Sequence, residues 1–161
     1  MIFAMWLLLI AGLAFFFNQR LSNRDNPNRH LDASINALGN VEVVLERNRA
    51  GHFVADGQIN GRRVTFLIDT GATDVNIPGR IARRLGLPLG RPYIATTANG
   101  NITVYATVLE SIGIDKLNLR NIRASVNPNL QTEEILLGMS FLRHLELLQS
   151  GRFLTLSVPA Q

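Results

Sequence analysis

The sequence predicts a mostly β domain, a small barrel or sandwich with one or two short helices. Short β-rich runs separated by turn signals fill the chain from Val41 to about Val158, which is typical of such folds. Asn60-Gly61 and Asn99-Gly100 are strong hairpin signals, because a type I′ turn needs positive φ at both central residues. Helical spacing is confined to two short stretches, Ile81–Leu85 and Phe141–Leu148.

Composition narrows the class of protein. The chain has 161 residues, of which 47% are hydrophobic and 17% charged, so it has room for one domain with an accessory segment and is not disordered. The absence of Cys excludes disulfides, thiolate metal sites and Cys nucleophiles. The three His residues lack ligand-like spacing, so we expect neither a metal nor another cofactor. The net charge is +4, but the basic residues form no run interleaved with aromatic residues. We therefore expect no nucleic-acid partner.

The chain divides into three parts. Met1–Phe17 carries no charge, and as a helix it would span about 25 Å, close to the thickness of a bilayer core. An uncleaved transmembrane anchor is favoured over a signal peptide, because no A-x-A-like cleavage site follows. Residues 18–40 are polar and broken by Pro27, which predicts a flexible linker. Residues 41–161 form the predicted globular domain.

The chemistry centres on one strand and the loop after it. The apolar run Val64–Ile68 ends in Asp69, and an ionised Asp is costly to bury without a partner. The next residues, Thr70 to Ala72, are small and allow another backbone to approach closely. A rigid strand that presents an acid onto such a loop could hold a reactive carboxyl in place. The alternative is that Asp69 only caps a turn.

A later apolar run into glycine, Ile135-Leu136-Leu137-Gly138, completes a pattern. With it, the chain resembles the retropepsin-like aspartic proteases, most closely their membrane-anchored bacterial members, from about Val41 to Val158. The hairpin Thr96–Ile102 stands where that family has its flap. The resemblance implies an all-β, closed barrel of the retropepsin type with one or two short helices, behind a transmembrane helix.

The resemblance also implies roles for individual residues. Asp69 would be the catalytic aspartate, Thr70 would hydrogen bond between the two active-site loops, and Gly71 would receive substrate backbone. Asn99 to Asn101 would form the flap tip. The residues implied in substrate binding are Ala72, Thr73, Asp74, Ala98, Asn99, Gly100, Asn101 and Gly138.

One departure from the family concerns an ion pair. Viral members usually carry Gly-Arg-Asn/Asp at the third element, and that Arg pairs with an acid just after the catalytic motif. Here the third element is Gly138-Met139-Ser140, and Thr73 stands where the acid would be, so this ion pair is absent. Asp74 is the nearest other acid. It would either contact the substrate backbone or face solvent in a turn.

A single Asp-Thr-Gly triplet implies a dimer. Peptide hydrolysis by this chemistry needs two carboxyls around one water, so the second must come from another copy across a two-fold axis. We therefore expect a homodimeric aspartic endopeptidase acting on polypeptides. The alternative is a catalytically silent dimerisation or peptide-binding module at the membrane. The last strand, Phe153–Val158, would either pair across the dimer interface or be an ordinary edge strand within one subunit.

The side of the membrane is open to two interpretations. Arg20, Arg24 and Arg29 follow the apolar segment, so the positive-inside rule places the domain in the cytoplasm. The resemblance to bacterial family members implies an extracytoplasmic domain instead. We favour attachment to the inner membrane through residues 1–17 with a periplasmic domain.

Overall fold

The computed structural model describes Trp6, Ile10 and residues 25–36, 39–97 and 100–158. Apart from Trp6 and Ile10, the predicted anchor Met1–Phe17 lies outside the described residues. In the described part of the chain, no helix combines the length and the apolar character that a membrane span requires.

The described residues form strands and two short helices. The strands are β1 (Ser34–Ile35), β2 (Val41–Glu46), β3 (Val54–Ile59), β4 (Arg62–Ile68), β5 (Val75–Pro78), β6 (Pro92–Thr97), β7 (Gly100–Ile114), β8 (Leu117–Asn127), β9 (Ile135–Leu137), β10 (Glu146–Ser150) and β11 (Phe153–Ser157). The helices are α1 (Gly79–Leu85) and α2 (Met139–Leu142).

Six strands close into a barrel. Their order is β3-β4-β9-β5-β8-β7, and β7 pairs back onto β3, while β6 adds to the outside of β7. Gly57 allows this closure, because a Cβ there would lie 2.4 Å from the Gly113 carbonyl oxygen. The prediction of an all-β closed barrel with two short helices is confirmed. The largest fully buried side chains include Phe66, Phe141, Ile77, Leu109, Ile112 and Ile135.

Both predicted hairpins are present. Asn60 and Gly61 have φ of 49° and 74°, and Ile59 pairs with Arg62 across them, as a two-residue turn with positive φ requires. In the second hairpin, the antiparallel ladder of β6 and β7 runs as far as the pair Thr97 and Gly100. Gly100 therefore belongs to β7, and the prediction of Asn99-Gly100 as the two central turn residues is wrong by one position. Ala98 and Asn99, which the resemblance implies in the flap and in substrate binding, lie outside the described residues.

The structure confirms only the first part of the helix predicted over Phe141–Leu148. The helix ends at Leu142, and residues 146–150 form β10, which pairs antiparallel with β11. Phe141 and Leu142 are buried, whereas Leu148 is 68% exposed, so the helical spacing did not mark one buried face. Pairing with a distant strand overrides the local pattern.

The C-terminal strand lies inside a second sheet, of order β1-β2-β11-β10. β11 pairs with β2 along one side and with β10 along the other. The interpretation as an edge strand is therefore wrong, since both edges of β11 are occupied within one chain. Leu154 and Leu156 join the core from this sheet.

Part of the predicted linker packs against the domain. Asn28 is 3% exposed, and its side-chain amide donates to the carbonyl oxygens of Glu46 (2.8 Å) and Val54 (2.7 Å). Its Oδ1 accepts the Glu46 N–H at 2.7 Å. Further along, the Ala33 N–H donates to Asp115 Oδ2 at 2.6 Å. A flexible linker therefore does not describe residues 26–33, which form a strap along the barrel.

Candidate active site

The strand β4 positions Asp69. Val64 and Phe66 point into the barrel, so Leu67 and Asp69 share the opposite face of the strand. β4 pairs in parallel with β9, and the Asp69 N–H donates to the Leu137 carbonyl oxygen at 3.2 Å, just past the ladder. Asp69 is therefore anchored through its backbone while it remains partly exposed.

The Asp69 carboxylate is oriented by its own loop. Oδ1 accepts the Gly71 N–H at 2.9 Å, and the Ala72 N–H donates to the Asp69 carbonyl oxygen at 3.2 Å. Asp69 does cap a turn, as the alternative interpretation held, and its carboxylate remains partly exposed while it accepts this hydrogen bond. The two interpretations are compatible. Thr70 is exposed on the same loop.

The start of α2 holds the rest of the loop. Met139 N–H donates to the Ala72 carbonyl oxygen at 2.8 Å, and Ser140 N–H donates to the Thr73 carbonyl oxygen at 2.9 Å. The buried Ser140 hydroxyl oxygen accepts the Val75 N–H at 2.9 Å. These bonds connect the loop to α2 at the element where viral family members have their Arg.

Gly138 makes this contact possible. A Cβ at this position would lie 2.2 Å from the Asp74 carbonyl oxygen and 2.6 Å from that of Ala72. Its φ of −90° is ordinary, so close approach of the backbone, and not backbone conformation, requires glycine. The structure therefore brings Gly138 together with the loop from Asp69 to Asp74.

Asp74 forms an ion pair that the sequence did not predict. Its side chain is 12% exposed, and Oδ1 accepts from Arg123 Nε at 3.0 Å and Nη2 at 2.9 Å. Oδ2 accepts the Tyr93 hydroxyl at 3.0 Å. Burial raises the pKa of Tyr93 above 10.0, and the hydrogen bond and negative charge of Asp74 raise it further.

The β6–β7 hairpin meets the Asp69 loop through Tyr93. Gly100 and Asn101, the described members of the predicted tip, bond within the hairpin: Thr97 Oγ1 donates to the Gly100 carbonyl oxygen at 2.8 Å, and Thr96 Oγ1 lies 3.1 Å from Asn101 Oδ1. Sequence reasoning missed Tyr93 and Arg123. They are 19 and 49 residues from Asp74, and no local pattern links them to it.

A row of three side chains lies beside Asp69. Leu67 is paired with Leu136, and Leu136 with Asn76, so their side chains share Asp69's face of the sheet. All three are half-buried. Asn76 Oδ1 is buried and makes no hydrogen bond to the described residues. The row offers a mostly apolar surface with one polar acceptor, next to a carboxylate.

Comparisons with known proteins agree with this geometry. A family model described as "gag-polyprotein putative aspartyl protease" matches residues 55–144. An uncharacterized protein from the cobV 5′ region of a Sinorhizobium species is 33% identical over 157 residues, covering 91% of this chain and 67% of that protein. An uncharacterized protein of Rickettsia prowazekii (strain Madrid E) is 31% identical over 152 residues, covering 86% and 62% respectively. The chain thus spans about two thirds of these relatives.

A solved structure extends the likeness to the fold. The retropepsin-like aspartic protease from Rickettsia conorii superposes with a TM-score of 0.60 at 26% identity, covering 80% of this chain and 95% of that one. The residues that the family model matches include Asp69, its loop and Gly138. This chain therefore belongs to the gag-polyprotein aspartyl protease family and has a retropepsin-like fold.

Proposed function

We propose that the protein is a homodimeric aspartic endopeptidase in which Asp69 and the partner's Asp69 activate one water molecule. The observation that carries this proposal is the Asp69 carboxylate itself. It is partly exposed at the end of β4, whose Val64 and Phe66 lie in the barrel core, and the Gly71 N–H orients it at 2.9 Å. A carboxyl held this firmly loses little freedom when it reacts, which is what a catalytic group requires.

The second carboxyl has to come from elsewhere. Asp74, the other acid of the loop, already accepts hydrogen bonds from Arg123 and Tyr93. A second copy of Asp69 across a two-fold axis is the simplest source, because it supplies an identical group with identical support. Thr70, exposed on the same loop, would then hydrogen bond between the two copies.

The chemistry follows from the pair. Two carboxyls about 3 Å apart cannot both ionise cheaply, so they share one proton and provide a base and an acid together. The carboxylate takes a proton from the water, whose oxygen attacks the scissile carbonyl carbon. The protonated carboxyl donates to the carbonyl oxygen. The carboxyl that took the water's proton then passes it to the amide nitrogen, and the C–N bond breaks. As the C=O bond of the product acid re-forms, its hydroxyl proton returns to the other carboxyl, which restores the pair as the acid and the amine leave.

The substrate would be an extended polypeptide. Gly71, Ala72 and Thr73 would face its backbone, and the hairpin tip at residues 98–101 would cover it. The row of Leu67, Leu136 and Asn76 would receive a side chain next to the scissile bond. Asp74 contributes through its contacts with Arg123 and Tyr93, and those contacts favour a supporting role over direct substrate binding.

Membrane attachment remains part of the proposal. Residues 1–17 would anchor the chain in the inner membrane, with the protease domain in the periplasm. Confinement to a plane would raise the effective concentration of protomers and favour the dimer. Digestion of intact spheroplasts with an added protease tests the orientation. The domain should be degraded, and a domain that is protected until the membrane is dissolved would place it in the cytoplasm.

A peptide-library digest tests the activity. The full chain in detergent should cleave peptides, and Asp69→Asn should lower kcat/KM by about a thousandfold or more while the thermal unfolding temperature stays the same. Asp32→Asn, which changes an exposed carboxylate on the strap, is the matched control and should leave cleavage unaltered. Turnover retained in Asp69→Asn would exclude the mechanism. A wild-type dimer that binds peptides without cutting them would support the silent binding module.

A further inference from the structure

Three side chains from separate parts of the chain meet beside the Asp69 loop. Asp74 closes that loop, Tyr93 belongs to β6, and Arg123 belongs to β8. Arg123 donates to Asp74 Oδ1 through Nε at 3.0 Å and Nη2 at 2.9 Å, and the Tyr93 hydroxyl donates to Oδ2 at 3.0 Å. Both oxygens of one carboxylate are therefore engaged, one by the barrel wall and one by the hairpin.

The Asp74 side of this contact is rigid. β5 begins at Val75, which pairs with Ala124, so Asp74 and Arg123 are both next to one ladder position. The two N–H groups of Arg123 converge on Oδ1 and fix the carboxylate, which leaves Oδ2 directed at the hairpin. Hydrogen bonds to an ionised acceptor are stronger than neutral ones, and Asp74 is 12% exposed, so solvent competes little for it.

The hairpin side needs such a contact. Within the described residues, β6 pairs only with β7, and five of its six residues are exposed. A strand held along one edge, with few buried side chains, opens easily. Tyr93 lies near the start of β6, and Thr97 is four residues further along, about 13 Å away in an extended strand. The bond to Asp74 therefore acts at the base of the hairpin.

We propose that Tyr93, Asp74 and Arg123 are positioning residues that fix the base of the β6–β7 hairpin against the loop carrying Asp69, so that the hairpin is pre-organised over bound peptide. We call these three side chains the latch, and its existence rests on the hydrogen bonds that Tyr93 and Arg123 donate to Asp74. Its effect on cleavage rests on the proposed protease function. The experiment below measures the two separately.

The latch predicts a specific kinetic signature. Without it, the free enzyme samples hairpin positions that do not bind peptide, and binding has to restore the order. Tyr93→Phe should therefore raise KM about tenfold and change kcat by less than about threefold. Tyr105→Phe is the matched control, because it removes the other tyrosine hydroxyl of the chain, from β7 of the same hairpin.

Two structural readouts do not depend on activity. In full-length protein, backbone amides of residues 93–97 and 100–105 should exchange with deuterium about tenfold faster in Tyr93→Phe than in Tyr105→Phe. The Tyr105→Phe chain retains Tyr93 as its one tyrosine, so alkaline absorbance reports Tyr93 alone. Adding Asp74→Asn to that chain should shift the titration to lower pH, because the carboxylate that stabilises the neutral phenol is gone.

The outcomes separate the two claims. Unchanged exchange in Tyr93→Phe, or a Tyr93 titration indifferent to Asp74→Asn, would overturn the latch. Faster exchange with unaltered KM would overturn the positioning role. If the wild type cleaves no peptide, the proposed function fails, yet exchange and titration still decide whether the latch exists. Should Asp74→Asn not fold, Arg123→Gln replaces it, because the Arg123 side chain is 64% exposed, and deuterium exchange is then the readout. Residues 93–97 should exchange faster, as in Tyr93→Phe, and unchanged exchange would overturn the latch.

Discussion

Replacing Gly138 by alanine tests how the Asp69 loop is supported. The new Cβ would stand 2.2 Å from the Asp74 carbonyl oxygen and 2.6 Å from that of Ala72. Both atoms belong to backbone, so no side chain can swing aside to relieve the overlap. The loop and α2 would have to separate by about 1 Å, since carbon and oxygen rarely approach within roughly 3.2 Å.

The expected cost follows from those contacts. Forcing an extra methyl group into a packed site typically costs about 1–3 kcal/mol. Separation also weakens the bonds from Met139 N–H to Ala72 and from Ser140 N–H to Thr73, each with a net value of about 1 kcal/mol. The free energy of unfolding should therefore fall by about 3–5 kcal/mol, which lowers the midpoint of thermal unfolding by about 10 °C.

Thermal unfolding followed by circular dichroism measures this loss. The control is Gly151→Ala, where φ is +58° and the new Cβ meets nothing within 4 Å. That change adds only left-handed backbone strain of about 1 kcal/mol. If Gly138→Ala and Gly151→Ala unfold at the same temperature, close approach of backbone is not what requires glycine at position 138, and the account of loop support fails.

Two further predictions concern the strap and the latch. Asn28→Ala should lower the free energy of unfolding by about 2–4 kcal/mol in urea titrations, because it leaves backbone groups of Glu46 and Val54 without partners, while exposed Asn118→Ala should change it little. For Tyr93, the raised pKa means that the folded state favours the neutral phenol. The contribution of the neutral Tyr93 hydroxyl to the free energy of unfolding is complete below pH 10.0, and it is lost as the pH rises through the raised pKa of the folded state. The difference in free energy of unfolding between wild type and Tyr93→Phe should therefore shrink only in strong alkali.

Local chemistry made part of the fold predictable. The Asn60-Gly61 turn needs positive φ at two positions, and these residues adopt it at little cost. The loop after Asp69 followed from an apolar strand that ends in an acid and small residues. Gly138 stood out through the family resemblance, as the end of the apolar run Ile135–Leu137, and the structure supplies the reason, because a Cβ there would meet the backbone of Ala72 and Asp74. For the turn and the loop, a short stretch of sequence contained the whole constraint.

The same reasoning could not predict contacts between residues that are distant in the sequence. Residues 146–150 have helical spacing, but β11 supplies hydrogen bonds that make them a strand. Asn28 looked like linker because it is polar, yet distant backbone groups satisfy its amide and permit burial. The contact of Asp74 with Tyr93 and Arg123 depends on three elements meeting, which only the folded barrel determines.

Mixing of active and inactive chains tests the shared Asp69 pair most directly. Wild type and Asp69→Asn, co-expressed with distinguishable tags so that dimers form at random, should show cleavage that falls as the square of the wild-type fraction, because a mixed dimer has one carboxyl and cannot act as both acid and base. At equal amounts, activity per total chain should be about one quarter of that of the wild type. Activity proportional to the amount of wild-type chain would show that one Asp69 suffices and would contradict the account.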